Sequence, residues 1–141
     1  MTDDSPPPPA AVLEATLYCQ DLAAAEAFYA GVLGFDVVIR KPGRHVFFRV
    51  GATILLVFDP RASVQISPEA MFPVPPHGAE GPGHLCLAAT DDEMTAWVAR
   101  LAEAGHPVES DFRWPNGARS IYFRDPSGNS LEMAERRLWE G

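Results

Sequence analysis

Positive charge is scarce in this chain. Lys and Arg number 11 against 19 Asp and Glu, a formal net charge of -8 over 141 residues. Polyanions are held by clustered Lys and Arg, so this balance excludes nucleic acid and an anionic membrane surface as partners. Cysteine is almost absent. Cys19 and Cys86 are too few for a disulfide framework and too far apart for a zinc knuckle or a CxxC redox site, which leaves two buried free thiols as the expectation. Long apolar runs are missing as well: none approaches the roughly 20 residues needed to span a bilayer. The opening Met1-Thr2-Asp3-Asp4 is acidic, where a secretory signal is basic and then apolar, so the expected location is cytoplasmic.

Apolar residues, at 47%, are plentiful enough to bury one core, and the length suits one compact domain. Proline punctuates the chain. Ser5 to Ala10 reads SPPPPA, a stretch without donors for a helix or ladder, so residues 1–10 are expected to be a disordered tail. A second Pro/Gly-rich stretch, residues 60–82, reads as a linker or lid. The domain is therefore expected over 11–136, as two modules, 11–59 and 83–136.

Each module reads β-α-β-β-β. In the first, VLEATLYC (12–19) has strand composition and Asp21 is placed to cap a helix. Ala25, Phe28, Tyr29 and Val32 then fall at i, i+3, i+4 and i+7, one buried helix face ending near Gly34. Strands follow at 35–40, 44–50 and 52–58. The second module repeats this about 70 residues later: a strand at 83–89, a cap at Asp91 or Asp92, and a helix with Met94, Trp97, Val98 and Leu101 in the same spacing. Strands at 108–112, 118–124 and 130–134 complete it. The fold class is α+β: two βαβββ modules forming a concave mixed sheet with helices outside.

Strand alternation then selects the candidate site. With Ala15, Leu17 and Cys19 facing the first helix, Glu14, Thr16 and Tyr18 take the concave face. With Leu85 and Leu87 facing the second, His84 and Cys86 point inward, and on the last strand Glu132 does so between Leu131 and Met133. Glu14, His84 and Glu132 are thus three candidate ligands for one metal ion. Their bland readings are an exposed strand-edge carboxylate and a satisfied histidine, but an inward Glu132 costs several kcal/mol unless paired or coordinated. Ser120, Tyr122, Thr16, Ile54, Leu56 and Phe58 are expected to line the pocket, His45 to sit near it, and His77 and His106 to be solvated.

Asp21-Leu22 through Phe28-Tyr29 to Leu33-Gly34-Phe35, with the closing Phe123-Arg124-Asp125-Pro126-Ser127-Gly128-Asn129-Ser130-Leu131-Glu132, resembles the vicinal-oxygen-chelate superfamily. Glyoxalases, ring-cleaving dioxygenases and bleomycin- and fosfomycin-resistance proteins belong to it. The resemblance puts metal ligands at Glu14, Leu56, His84 and Glu132. Leu56 cannot bind metal, and Asp59 is the nearest substitute carboxylate. The resemblance implies a metal-dependent enzyme, a lyase, isomerase or dioxygenase, acting on a small molecule with vicinal oxygens. It would use one divalent ion (Mn, Fe(II), Ni, Co, Mg or Zn), with Glu14 and Tyr122 as candidate catalytic groups. The alternative is a metal-free antibiotic- or metabolite-binding protein. The assembly it implies is a homodimer in which Glu14 of one chain meets His84 and Glu132 of the other.

Overall fold

A computed structural model describes residues 4–66 and 70–140. The expected tail therefore lies partly outside the described residues; from Asp4 to Leu13 the chain is exposed and carries neither helix nor strand. Strand β1 (Glu14–Tyr18) leads into helix α1 (Leu22–Glu26), whose N-terminus is capped as expected, with Ala24 N donating to Asp21 Oδ1 at 3.0 Å. The helix then widens into a π-helical turn over Ala27–Val32. Phe28 and Tyr29, two residues of the expected buried face, are fully buried on this turn; the widening itself is not something apolar spacing reveals.

Strands β2 (Asp36–Lys41), β3 (His45–Val50) and β4 (Thr53–Phe58) follow, and a short helix α2 (Pro60–Ser63) opens the linker. The second module runs β5 (His84–Ala88), α3 (Asp91–Glu103), β6 (Ser110–Arg113), β7 (Arg119–Arg124) and β8 (Ser130–Ala134). A 3-10 turn, Arg136–Trp139, closes the chain. The cap of α3 is Thr90, one residue before the expected Asp91 or Asp92. Its hydroxyl accepts from Glu93 N while Glu93 returns a bond to Thr90 N, a reciprocal pair that outcompetes a lone aspartate.

The strands form two four-stranded mixed sheets, ordered β1-β4-β3-β2 and β5-β8-β7-β6. In each, the first strand runs parallel to the fourth, and the registers correspond: Thr16 lies opposite Leu56 as Cys86 lies opposite Glu132. Leu56 is thus the first module's counterpart of Glu132. One apolar cluster joins the modules, with Phe28, Tyr29, Phe48, Met94, Leu101, Ile121 and Phe123 among its buried members.

A buried polar knot crosses the same seam. Asp125 Oδ2 accepts from Tyr29 Oη at 2.7 Å and from Cys19 Sγ at 3.4 Å, while Oδ1 accepts from the backbone N of Ser127 and Asn129. Asn129 Nδ2 reaches back to the Tyr18 carbonyl at 3.0 Å. Burial and the Asp125 charge push the Tyr29 hydroxyl well above its ordinary pKa, and burial raises the Cys19 thiol to about 12, so both stay protonated and donate. Asp-Pro-Ser-Gly-Asn is therefore a clasp between modules as well as a turn.

Candidate functional site

The second sheet carries the site. Strand β5 projects His84 and Cys86 from one face, and β8 brings Glu132 beside them; both thiols are free, but Cys86 is exposed, contrary to expectation. Glu132 is only 6% exposed. Its Oε1 stands 3.3 Å from His84 Nε2, and its Oε2 accepts from Ser120 Oγ at 2.7 Å. Ser120, fully buried on β7, in turn accepts from Trp114 Nε1 at 2.8 Å. A chain of donors, indole to hydroxyl to carboxylate, thus fixes Glu132 from behind and leaves Oε1 facing His84.

The histidine is fixed in the same manner. His84 Nδ1 lies 2.9 Å from the Ser130 carbonyl, and a carbonyl only accepts, so Nδ1 carries the proton. In a neutral imidazole that leaves the Nε2 lone pair aimed at a carboxylate oxygen. Two lone pairs at that separation repel unless one positive charge, a proton or a metal ion, lies between them. The separation is also one that two ligands each about 2.1 Å from a single divalent ion readily span. The backbone carbonyl behind the imidazole and the hydroxyl behind the carboxylate are the outer supports that metal-binding pairs require. His84 and Glu132 fit a divalent ion.

Above the pair lies a cavity of about 620 Å³ lined by His84, Cys86, Glu132, Tyr122 and Trp114, with Leu138 and Trp139 of the 3-10 turn as its outer wall. The ring of Tyr122 is nearly parallel to Phe112 (5.9 Å, 3°) and to His84 (6.0 Å, 21°). Burial first, then the Glu132 carboxylate, raises the Tyr122 hydroxyl to about 12, so it acts as a donor and not as a base near neutral pH. The same two causes raise the Cys86 thiol to about 12, which keeps it neutral and a poor nucleophile.

Glu14 stands apart from this group. It is exposed on β1 and does not line the cavity, and among the described residues no three His, Cys, Asp or Glu side chains of one chain are grouped to hold a metal. Nor does Asp59 stand in for Leu56: it caps α2 through Arg61 N and pairs with the Arg61 guanidinium at 2.9 Å, which holds its carboxyl below the usual range. The first module's face is aromatic instead. His45 stacks on Phe47 at 4.1 Å, and His77, expected in solvent, is half-buried, bonded through Nδ1 to Tyr18 Oη at 2.8 Å and set edge-on to Phe58. His106, also expected in solvent, packs against Phe28 at 4.6 Å. Of the residues bordering the cavity, Leu138 and Trp139 gave the least sequence signal, because a tail after the last strand has no periodicity to read.

The two-module fold with an inward His and Glu on its second sheet defines a class, and the chain belongs to the Glyoxalase/Bleomycin resistance protein/Dioxygenase superfamily, which it matches over residues 11–133. Among solved structures it is similar to a lactoylglutathione lyase of Agrobacterium tumefaciens, at 46% identity and a TM-score of 0.89 over 96% of this chain and 100% of that one. A glyoxalase/bleomycin resistance protein/dioxygenase from Nocardioides is 25% identical, with a TM-score of 0.70 over 94% and 86%. Virulence protein STM3117 of Salmonella typhimurium is 28% identical over 123 residues, 84% of this chain and 79% of that protein. No helix among the described residues is long and apolar enough to cross a membrane.

Proposed function

We propose that the protein is a metal-dependent enzyme of the glyoxalase type, acting on a small molecule with two adjacent oxygens. The observation that carries this reading is the 3.3 Å pair of His84 Nε2 and Glu132 Oε1, each supported from behind and both open to a cavity. The similarity to a lactoylglutathione lyase at 46% identity supports a lyase or isomerase over a dioxygenase. A divalent ion at this position supplies Lewis-acid polarisation of the substrate oxygens. The chain's own part is to hold and orient: His84 and Glu132 as ligands, Ser120 and Trp114 fixing the carboxylate, and the Tyr122 hydroxyl donating to an oxygen that gains negative charge.

Glu14 completes the set from a second protomer, in a symmetric homodimer. Val12 and Leu13, 70% and 75% exposed, flank Glu14 and present the apolar surface that such a partner would cover. Leu56, at the register position of Glu132, favours a second reading in which the face is a metal-free binding groove for an antibiotic or metabolite.

Metal content by plasma mass spectrometry, on untagged wild type and Glu132→Ala, separates the two. The enzyme reading expects about one divalent ion per chain, lost in the variant. No metal in either, with no rise in Tm on adding Mn, Co, Ni, Fe(II) or Zn, overturns it and leaves the binding protein.

A further inference from the structure

The wall of the cavity differs in chemistry from the His84 and Glu132 floor. Trp114, Pro115, Tyr122, Leu138 and Trp139 make it flat and apolar, and no Lys or Arg is among its lining residues. Of the neighbouring cations, Arg113 pairs with Asp91, Arg119 with Asp91 and Asp111 at 2.9 and 2.7 Å, and Arg137 with Glu135 at 3.2 Å, while Arg136 on the same turn borders a different surface, beside Thr90 and Glu93. Two of the wall's neutral polar side chains are engaged too. Trp114 Nε1 donates to Ser120, Asn116 Nδ2 donates to the carbonyls of Arg137 and Leu138, and Asn116 Oδ1 accepts from Ala118 N.

A carboxylate entering along this wall meets no Lys or Arg among the lining residues to pair with. An aromatic ring meets surfaces that water leaves readily. The outer wall is also held in place. Asn116 grips the 3-10 turn from one side, and Arg137 reaches the carbonyls of Asn116 and Gly117 at 3.3 and 2.7 Å from the other. This turn presents the Trp139 indole at the cavity mouth with 86% of it in solvent. A large indole held exposed beside an apolar cavity is suited to stack on an incoming ring.

We infer that this cavity takes an uncharged substrate whose adjacent oxygens are attached to an aryl group that stacks on Trp139, and that it discriminates against anionic peptide thiols such as glutathione. Size does not decide the matter, since a cavity of about 620 Å³ admits either; the chemistry of the wall does. The inference rests on the reading of His84 and Glu132 as the reacting end of the site, but the wall makes its own contribution to binding.

The test is calorimetric titration of phenacyl alcohol, hydroxyacetone and glutathione into wild type, Trp139→Ala and Glu132→Ala, with metal content measured in each sample. Phenacyl alcohol and hydroxyacetone share the adjacent oxygens and differ by the ring. Wild type is expected to bind phenacyl alcohol about tenfold more tightly than hydroxyacetone, a preference within reach of one stacked ring, and to bind glutathione more weakly than either. Trp139→Ala is expected to lose most of the phenyl preference while keeping its metal. Equal affinity for the two hydroxyketones, tighter binding of glutathione, or a phenyl preference unchanged in Trp139→Ala overturns the inference, and full metal occupancy in those samples leaves the metal reading standing. A phenyl preference that depends on Trp139 in protein without metal supports the inference and defeats the metal reading instead.

Discussion

Ser120 is the residue on which the site's geometry turns. It is fully buried, accepts from the Trp114 indole and donates to Glu132, so it links the two side chains from behind the cavity. Ser120→Ala removes no ligand and no charge. It leaves the indole N–H unpaired and one carboxylate oxygen without its donor, which is expected to cost about 1–3 kcal/mol of stability. If Glu132 is a ligand, its freed rotation is also expected to weaken metal affinity by about 10–100-fold. Isothermal titration with Mn or Ni, beside urea unfolding, checks both; metal affinity unchanged in a destabilised variant would show that Ser120 serves packing alone. Strand alternation in the sequence exposed half of this arrangement. It turned Glu132 and His84 inward, but it could not show that Trp114, six residues and a turn away from Ser120, closes the relay, because that depends on how the β6–β7 hairpin folds back.

At the scale of elements, the Asp-Pro-Ser-Gly-Asn turn between β7 and β8 is more than a reversal of the chain. Its Asp125 accepts from Tyr29 on the π-helical turn and from Cys19 after β1, so one carboxylate from the second module gathers donors from the first. Asp125→Ala is expected to destabilise the fold by about 3 kcal/mol or more, since it strands a buried phenol and the Ser127 and Asn129 amides together. Tyr29→Phe removes a single donor and is expected to cost about 1 kcal/mol. Thermal or urea unfolding of both variants would test the ordering; equal losses would mean that the bond to Tyr29 carries the whole effect. The two βαβββ patterns were legible in the sequence because Phe28 and Tyr29, like Trp97 and Val98, repeat at helical spacing against alternating strands. The π-helical widening and the Thr90 cap were not, since both are settled by side-chain competition over one or two positions.

On the scale of the whole molecule, the arrangement of modules decides whether the candidate ligands meet. The sequence placed Glu14, His84 and Glu132 on one concave face; the structure brings His84 and Glu132 together at one cavity, and Glu14, on the other sheet, does not line it. In the proposed homodimer the ligand set is divided between protomers, with Glu14 reaching the partner's cavity. That division has a consequence which a site within one chain lacks. Glu14→Gln and Glu132→Gln homodimers would each bind metal poorly, yet a heterodimer of the two, made by co-expression with different tags, would contain one site with both changes and one with neither. It is expected to recover about one metal per heterodimer, half the wild-type content, and a corresponding share of any activity. Were all three ligands to come from a single chain, every site in the heterodimer would lack one of them and the metal would stay absent. Sedimentation equilibrium comes first, because a chain that remains monomeric at micromolar concentration would remove the partner that Glu14 requires.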